Sequence, residues 1–299
     1  MTEQERISSD RITREYLDRI LVEVRHLDAV MPDVSMELYG KKFATPVMTA
    51  ALSHLYNTRE NGMQLMAEGA KMAGAVCFSG MGSMEETAGM IATGAEVIKI
   101  IKPYKDRESI YKKIEDARNR GALAVGIDID HAFSHGLKYD CIEGMEMRPM
   151  TTAELKELVK YAGLPFVIKG VLSFQDAEKC AEAGVRGMVI SHHNGRLDCA
   201  VPPLMMLPEI RRHVGKDMPL FVDCAIRTGL DVYKALALGA DACCVGRPLM
   251  PRLKENGAEG VRDCIREITE DLRYAMAMNA AADLKSIDPT SVHPNYFNI

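Results

Sequence analysis

The chain of 299 residues contains no tryptophan, and aromatic residues make up only 6% of it. Its 47% hydrophobic content is the ordinary share of a soluble, core-forming protein. No stretch reaches the roughly 20 consecutive apolar residues that a membrane-spanning helix requires. The opening residues, MTEQERISSDRITREY, are charged throughout and lack the apolar region of a secretory signal, so a cytoplasmic location is expected. Positive charge is not in excess. With 37 Lys and Arg against 42 Asp and Glu the net charge is -5, which argues against nucleic acid or an anionic membrane as the main partner. The eight cysteines show no C-x-x-C spacing and several lie inside apolar runs, which suggests reduced, buried thiols. No Cys/His cluster has metal-ligand spacing, so no metal is expected. The adjacent pair His192-His193 would point to opposite faces of a strand.

What is present is a repeat. Short apolar runs occupy 45–51, 75–79, 96–101, 122–130, 165–171, 187–192, 219–225 and 242–246. Amphipathic segments such as 107–120, 152–162 and 174–183 lie between them, and the last helical stretch is about 258–282. Alternation of this kind implies parallel strands joined by helical crossovers. Eight such units predict an α/β chain folded as a (β/α)8 TIM barrel, a fold that spans about 250 residues as one domain. Gly121, Gly184 and Gly239 mark turns from helix back to strand. Residues 12–27 read as a helix with Ile12, Tyr16, Ile20, Val24 and Leu27 on one face, and MELYGKKFATP reads as a hairpin. Together these are expected to plug the lower end of the barrel. The whole of 1–299 is taken as one domain: helix and hairpin in 1–44, barrel in 45–282, and a tail in 283–299.

Chemistry in such barrels sits at the carboxyl ends of the strands. That rule selects Ser53 and His54, Ser79, Lys102, the group Asp128, Asp130 and His131, Lys169, Ser191 to Arg196, Asp223 to Arg227, and Gly246-Arg247. Gly246 allows close approach of a ligand, and Arg227 and Arg247 offer planar forks to a phosphate at the place where these barrels bind one. Lys169 follows apolar residues in a buried strand, so it should meet an anion or an electron-rich ligand, or pair with Asp128 or Asp130. His193 at a strand end has the chemistry of a base near neutral pH, and Arg196 that of a carboxylate anchor.

The stretch VIKGVLSFQDAEKCAEAGVRGMVISHHNGRLDCAVPPLMMLPEI, with FVDCAIRTGLDVYKALALGADACCVGRPLM, resembles the FMN-dependent α-hydroxy-acid oxidases and dehydrogenases. The resemblance is strongest over about 160–250 and collinear from about 36 to 130. It implies FMN as cofactor, with Lys169 at the N1/O2 edge of the flavin and Ser191 and Ser79 nearby. It implies Asp223 on the ribityl chain, Arg227, Gly246 and Arg247 on the phosphate, and Thr49, Ala50 and Ala51 passing the flavin. His193 would take the substrate hydroxyl proton as hydride leaves for flavin N5, and Arg196 would grip the carboxylate of a small anionic substrate. The family also implies a homo-oligomer, a tetramer.

Departures from the family pattern gather on the substrate side. The family's Q-x-Y motif falls on Ile100 and Lys102, so that Lys102 stands where a tyrosine would meet substrate. A threonine near the flavin becomes Asp128. The loop after the fourth strand shrinks to about 131–150 and has no equivalent of a second substrate arginine. Two glycines become Cys224 and Ala225. Lys102, His131 and His135 are candidates for replacement positive charge, and lactate or glycolate themselves are not the expected substrates. Two other readings share the cofactor: a non-redox isomerase resembling type 2 isopentenyl-diphosphate isomerase, and a flavin-binding protein without hydroxy-acid activity.

Overall fold

In the computed structural model the described residues are 8–134 and 138–294; His135 lies outside them. Helix α1 (Ser9–Asp18) comes first. The barrel strands are β1 (Val47–Thr49), β2 (Cys77–Ser79), β3 (Val97–Ile101), β4 (Ala124–Asp128), β5 (Phe166–Val171), β6 (Gly187–Ile190), β7 (Leu220–Val222) and β8 (Ala242–Val245). Each is followed by a helix: α2 (Gly62–Met72), α3 (Met84–Ala92), α4 (Arg107–Asn119), α5 (Thr152–Ala162), α6 (Phe174–Glu182), α7 (Pro203–Val214), α8 (Gly229–Ala237) and α9 (Leu249–Ala277). Every apolar run contains its expected strand. Helix starts are fixed locally: Ser83, Asp106, Thr151, Ser173 and Thr228 each cap a helix with the side chain. Helix α9 starts earlier than about 258 because a first short turn runs into it across a kink at Gly257, where φ is 57°.

The strands are parallel and ordered 1-8-7-6-5-4-3-2, a sheet that curls until β1 meets β2. The Thr49 hydroxyl stitches that seam, accepting from Phe78 N at 2.9 Å and donating to Phe78 O at 3.2 Å. Gly80 N donates to Leu52 O at 2.8 Å one step further on. Alternate strand residues fill the barrel, where Met48, Phe78, Ile98, Val167 and Phe221 pack together. A larger apolar cluster lies between strands and helices. Among the described residues no helix is long and apolar enough to cross a membrane.

The expected plug is half correct. The hairpin (Met36–Leu38 with Lys41–Phe43) places Leu38 and Phe43 in the interior cluster and closes the lower end. The helix does not extend over 12–27. It stops at Asp18, and Ile20–Val22 instead form a strand paired with Val292–Pro294. Nor does α1 sit beneath the barrel. It bonds to the ends of β6, β7 and β8: Thr13 to His192 at 2.7 Å, Arg14 to Ala225 O at 2.9 Å, and Asp10 to Arg247. Local periodicity could not foresee either result, since both depend on partners about 180 to 270 residues away.

Candidate active site

The register of the sheet builds the site. Lys169 on β5 lies opposite Asp128 on β4, so both point into the barrel at its upper end. Gly170 follows at φ 94° with a register shift, and a Cβ there would lie 2.6 Å from the Asp130 carboxylate. The glycine of VIKG thus makes room for an acid. After β6 the chain turns through left-handed His193 and Asn194, with the His193 amide donating to Ser191 Oγ at 3.0 Å. This turn aims the imidazole back over the barrel mouth.

His193 Nδ1 lies 2.9 Å from Asp130 Oδ1, 3.1 Å from Lys169 Nζ and 3.4 Å from Asp128 Oδ1. Its Nε2 faces His131 Nε2 at 3.2 Å, and His131 Nδ1 faces Asp140 Oδ2 at 2.8 Å. Arg196 donates to the same Asp140 oxygen at 2.8 Å and to Phe133 O. Lys102 donates to Asp128 Oδ2 at 2.7 Å, and Lys169 Nζ lies 3.7 Å from Asp223 Oδ2. Burial disfavours every charge here, so the balance is set by neighbours. Burial pushes the Lys169 ammonium down, but Asp128, Asp223 and Asp130 outweigh it and hold it above the ordinary lysine value. Asp128 is held well below the carboxylate range by Lys169, His193 and Lys102 despite its burial. Asp130 is raised by burial and by Asp128. For His193, burial and Lys169 oppose the charge and Asp128 and Asp130 support it, with a net rise. His131 is pushed down to about 4 by burial, Lys102 and His193.

Beside this network opens a cleft of about 720 Å³, its mouth included, which runs from Lys169 and His193 past Asp223 and Cys224 to Arg227, Gly246 and Arg247. Ala50, Ala51 and Leu52 form its opposite wall. A Cβ on Gly246 would come within 3.3 Å of Ala50 Cβ, so a side chain there would narrow the cleft. Most residues expected at the cofactor meet in this cleft. Thr49, Ser79 and Ser191 do not line it: Thr49 serves the seam, Ser79 accepts from Lys99 at 3.3 Å, and Ser191 holds the His193 turn. Lys102, expected at substrate, is buried against Asp128. Asp128, Asp130, His131 and His193 offer ligand atoms within 4.8 Å of one another, a convergence that linear spacing concealed. Their carboxylates already face two ammonium groups.

The family model for FMN-dependent dehydrogenases matches residues 2–154 and 137–294 of the chain. The chain belongs to this family. 4-Hydroxymandelate oxidase of Amycolatopsis orientalis is 29% identical over 300 residues, covering 89% of this chain and 84% of that protein. Glycolate oxidase 3 of Arabidopsis thaliana is 25% identical, covering 93% and 84%. A crystal structure of mandelate oxidase with (S)-2-phenylpropionate superimposes with TM-score 0.86 at 27% identity, covering 96% of this chain and 89% of that one. The protein is therefore an FMN-dependent oxidoreductase on a TIM barrel.

The residues present fit that cofactor. Among the described residues the Arg227 guanidinium meets no protein partner, although it stands at the cleft end where Gly246 leaves space. An unpaired fork beside a glycine is what a phosphate requires. At the other end the buried Lys169 ammonium faces the cleft, where it can meet a flavin carbonyl edge. Asp130, expected at the end of strand four as a possible partner of Lys169, pairs instead with His193, and Asp140 was not expected in the site at all. Asp130 was legible in D-I-D-H, since a period of two puts it on the face of Asp128. Asp140 was not, because nothing in the loop's sequence marks it as the partner of His131 and Arg196.

Proposed function

We propose that the protein oxidises a 2-hydroxy-carboxylate larger than lactate or glycolate, with His193 as base and Arg196 as carboxylate anchor. The supporting observation is the meeting of His193, Asp130 and Lys169 within 3.1 Å contacts at one end of the cleft whose other end carries Arg227 and Arg247. Bound FMN supplies the hydride acceptor. Asp130 steadies the imidazole through Nδ1 and favours its charged form once the substrate hydroxyl proton arrives at Nε2. Lys169 supplies positive charge where the reduced flavin becomes electron-rich. Arg196 now holds Asp140, so a substrate carboxylate shares or replaces that acid. Lys102 is committed to Asp128 and acts on substrate only through the charge balance. A further cavity of about 1200 Å³, its mouth included, reaches Asp130 and Arg196; Phe133, Met150, Leu155 and Leu197 line it together with Thr151, Asp176 and Lys179. Its size and the apolar part of its lining favour a bulky side group, as in the hydroxymandelate that names one relative. Leu21, Val24, Leu27, Val30 and Met31, all more than half exposed, support assembly into a homo-oligomer.

The test is anaerobic mixing of the FMN-loaded protein with 4-hydroxymandelate, mandelate, 2-hydroxy fatty acids, lactate and glycolate. Bleaching of the visible flavin band is expected with the bulkier acids. His193→Ala should keep FMN and lose reduction by roughly 10²–10⁴-fold. Silence across the whole panel with flavin bound would overturn the proposal.

A further inference from the structure

Two histidines meet nitrogen to nitrogen at the mouth of the barrel, and their protonation follows from what stands behind each. The chain of contacts is Asp130, His193, His131, Asp140, with separations of 2.9, 3.2 and 2.8 Å. Asp140 is also bonded by Arg196 at 2.8 Å, and Arg196 and His131 together hold its carboxyl below the usual range despite its burial. An ionised carboxylate only accepts, so His131 Nδ1 is the donor. His131 resists a second proton, because burial, Lys102 and His193 push it down to about 4. Its Nε2 is therefore a lone pair. A lone pair at 3.2 Å from His193 Nε2 requires the hydrogen to sit on His193. The resting His193 thus carries its proton on the nitrogen that a base must have free.

We propose that His131, oriented by Asp140, is a positioning residue that holds the Nε2 proton of His193 between turnovers and is displaced from that nitrogen by the substrate hydroxyl. The inference rests on the assignment of His193 as base. Once Arg196 turns from Asp140 to the substrate carboxylate, the Nε2 proton of the charged His193 passes to His131 Nε2 as the His131 Nδ1 proton passes to Asp140, while His193 keeps the Nδ1 proton that faces Asp130; His193 is left neutral with Nε2 free, Asp140 is left protonated, and total charge is conserved. The arrangement ties readiness for catalysis to the 131–150 loop, because Arg196 and His131 share Asp140. A substrate carboxylate that takes Arg196 loosens Asp140, and with it the hold of His131 on the base. Groups facing the pair from the surrounding elements are Lys102 after β3, Asp128 and Asp130 on and after β4, Lys169 on β5, Arg196 after β6, and Asp223 and Cys224 after β7.

The experiment needs no substrate. Histidine ¹⁵N spectra of the FMN-loaded protein are recorded against pH for wild type, His131→Ala, His131→Gln and Asp140→Asn. Wild type should show His193 protonated at Nε2 and His131 protonated only at Nδ1 near neutral pH. His131→Ala removes the acceptor and should lower the His193 midpoint by about one pH unit, a roughly tenfold loss of proton affinity. His131→Gln keeps an acceptor oxygen and should recover most of that shift, which a purely structural role would not do. A His193 midpoint unchanged in both His131 variants would overturn the inference. So would a bare His193 Nε2 in wild type, or one equivalent of zinc bound and lost with His131. None of these results depends on whether any hydroxy acid bleaches the flavin, so failure of the proposed activity is read separately.

Discussion

His193 is held between groups that favour its charge and groups that oppose it, and the direction of the balance sets two opposite pH dependences. Burial and Lys169 lower its proton affinity, and Asp128 and Asp130 raise it further, so its midpoint lies above the ordinary 6.5. A group raised on folding stabilises the fold fully below its unfolded value and loses that contribution as pH rises through the folded value. Catalysis runs the other way, since a base must be neutral. Flavin reduction should therefore increase with pH through a midpoint above 6.5, while the unfolding free-energy difference between wild type and His193→Gln shrinks over the same window. Asp130→Asn removes the closest anionic support at 2.9 Å and should move the acid limb of reduction down by about one unit. Stopped-flow reduction and urea unfolding across pH measure both. An acid limb in Asp130→Asn that stays in place, or moves up, would show that the limb belongs to another group.

Helix α1 connects the amino-terminal region to the phosphate end of the cleft, and one arginine carries the connection. Arg14 forks onto both oxygens of Asp231 at 2.9 and 2.8 Å and donates to Ala225 O. Asp231 in turn accepts from the amides of Arg227 and Thr228 at the start of α8. Burial opposes the charge of Asp231, but the Arg14 hydrogen bond wins and holds its carboxyl low. Its contribution is thus present at neutral pH and lost as acid titrates it. Arg14→Met should cost about 2 kcal/mol by urea unfolding, because a buried acid loses its partner, and should weaken FMN binding through the loop that carries Arg227. A change under about 0.5 kcal/mol would mean that the amide bonds alone suffice. Asp10 has the opposite relation to the cofactor. It holds Arg247, the other phosphate candidate, and an FMN phosphate would have to share that guanidinium with a carboxylate. Asp10→Asn should tighten FMN binding by about two- to fivefold at low ionic strength, with the gain fading in salt; fluorescence titration of the apoprotein reads it, and weaker binding would make Asp10 a support of the phosphate site. The sequence pattern could not show α1 in this place. Its apolar period continues to Leu27, yet the segment after Asp18 finds a strand partner in Val292–Pro294, and a partner that distant overrides local preference.

For the molecule as a whole, what could be read from sequence follows what is local. The strands were legible because each is a short buried apolar run, and helix ends because Gly121, Gly184 and Gly239 adopt positive φ after them. The cofactor end of the site was legible for a related reason: VIKG, DCAIR and GRP each place their chemical groups at the end of one strand, and barrel closure brings those ends together. The substrate side was not, because its decisive contacts join Asp140 to His131 and Arg196 across segments with no register to predict. Closure itself depends on a residue first assigned to the cofactor. Thr49 is fully buried, and its hydroxyl serves both the N–H and the C=O of Phe78 where the ladder between β1 and β2 is thinnest. Thr49→Val keeps the shape and removes the hydroxyl, leaving a buried N–H without its partner, and should destabilise the barrel by about 1–3 kcal/mol. Thr49→Ser keeps both hydrogen bonds and loses one methyl, worth about 0.8 kcal/mol. Serine should therefore be tolerated better than the closer isostere valine, with FMN content unchanged in both, as urea midpoints and absorbance ratios would show. If valine instead kept the stability and lost the flavin, the hydroxyl would belong to the cofactor, and the barrel would have to be held at its seam by backbone bonds such as Thr49 N to Val76 O at 3.2 Å and Gly80 N to Leu52 O at 2.8 Å.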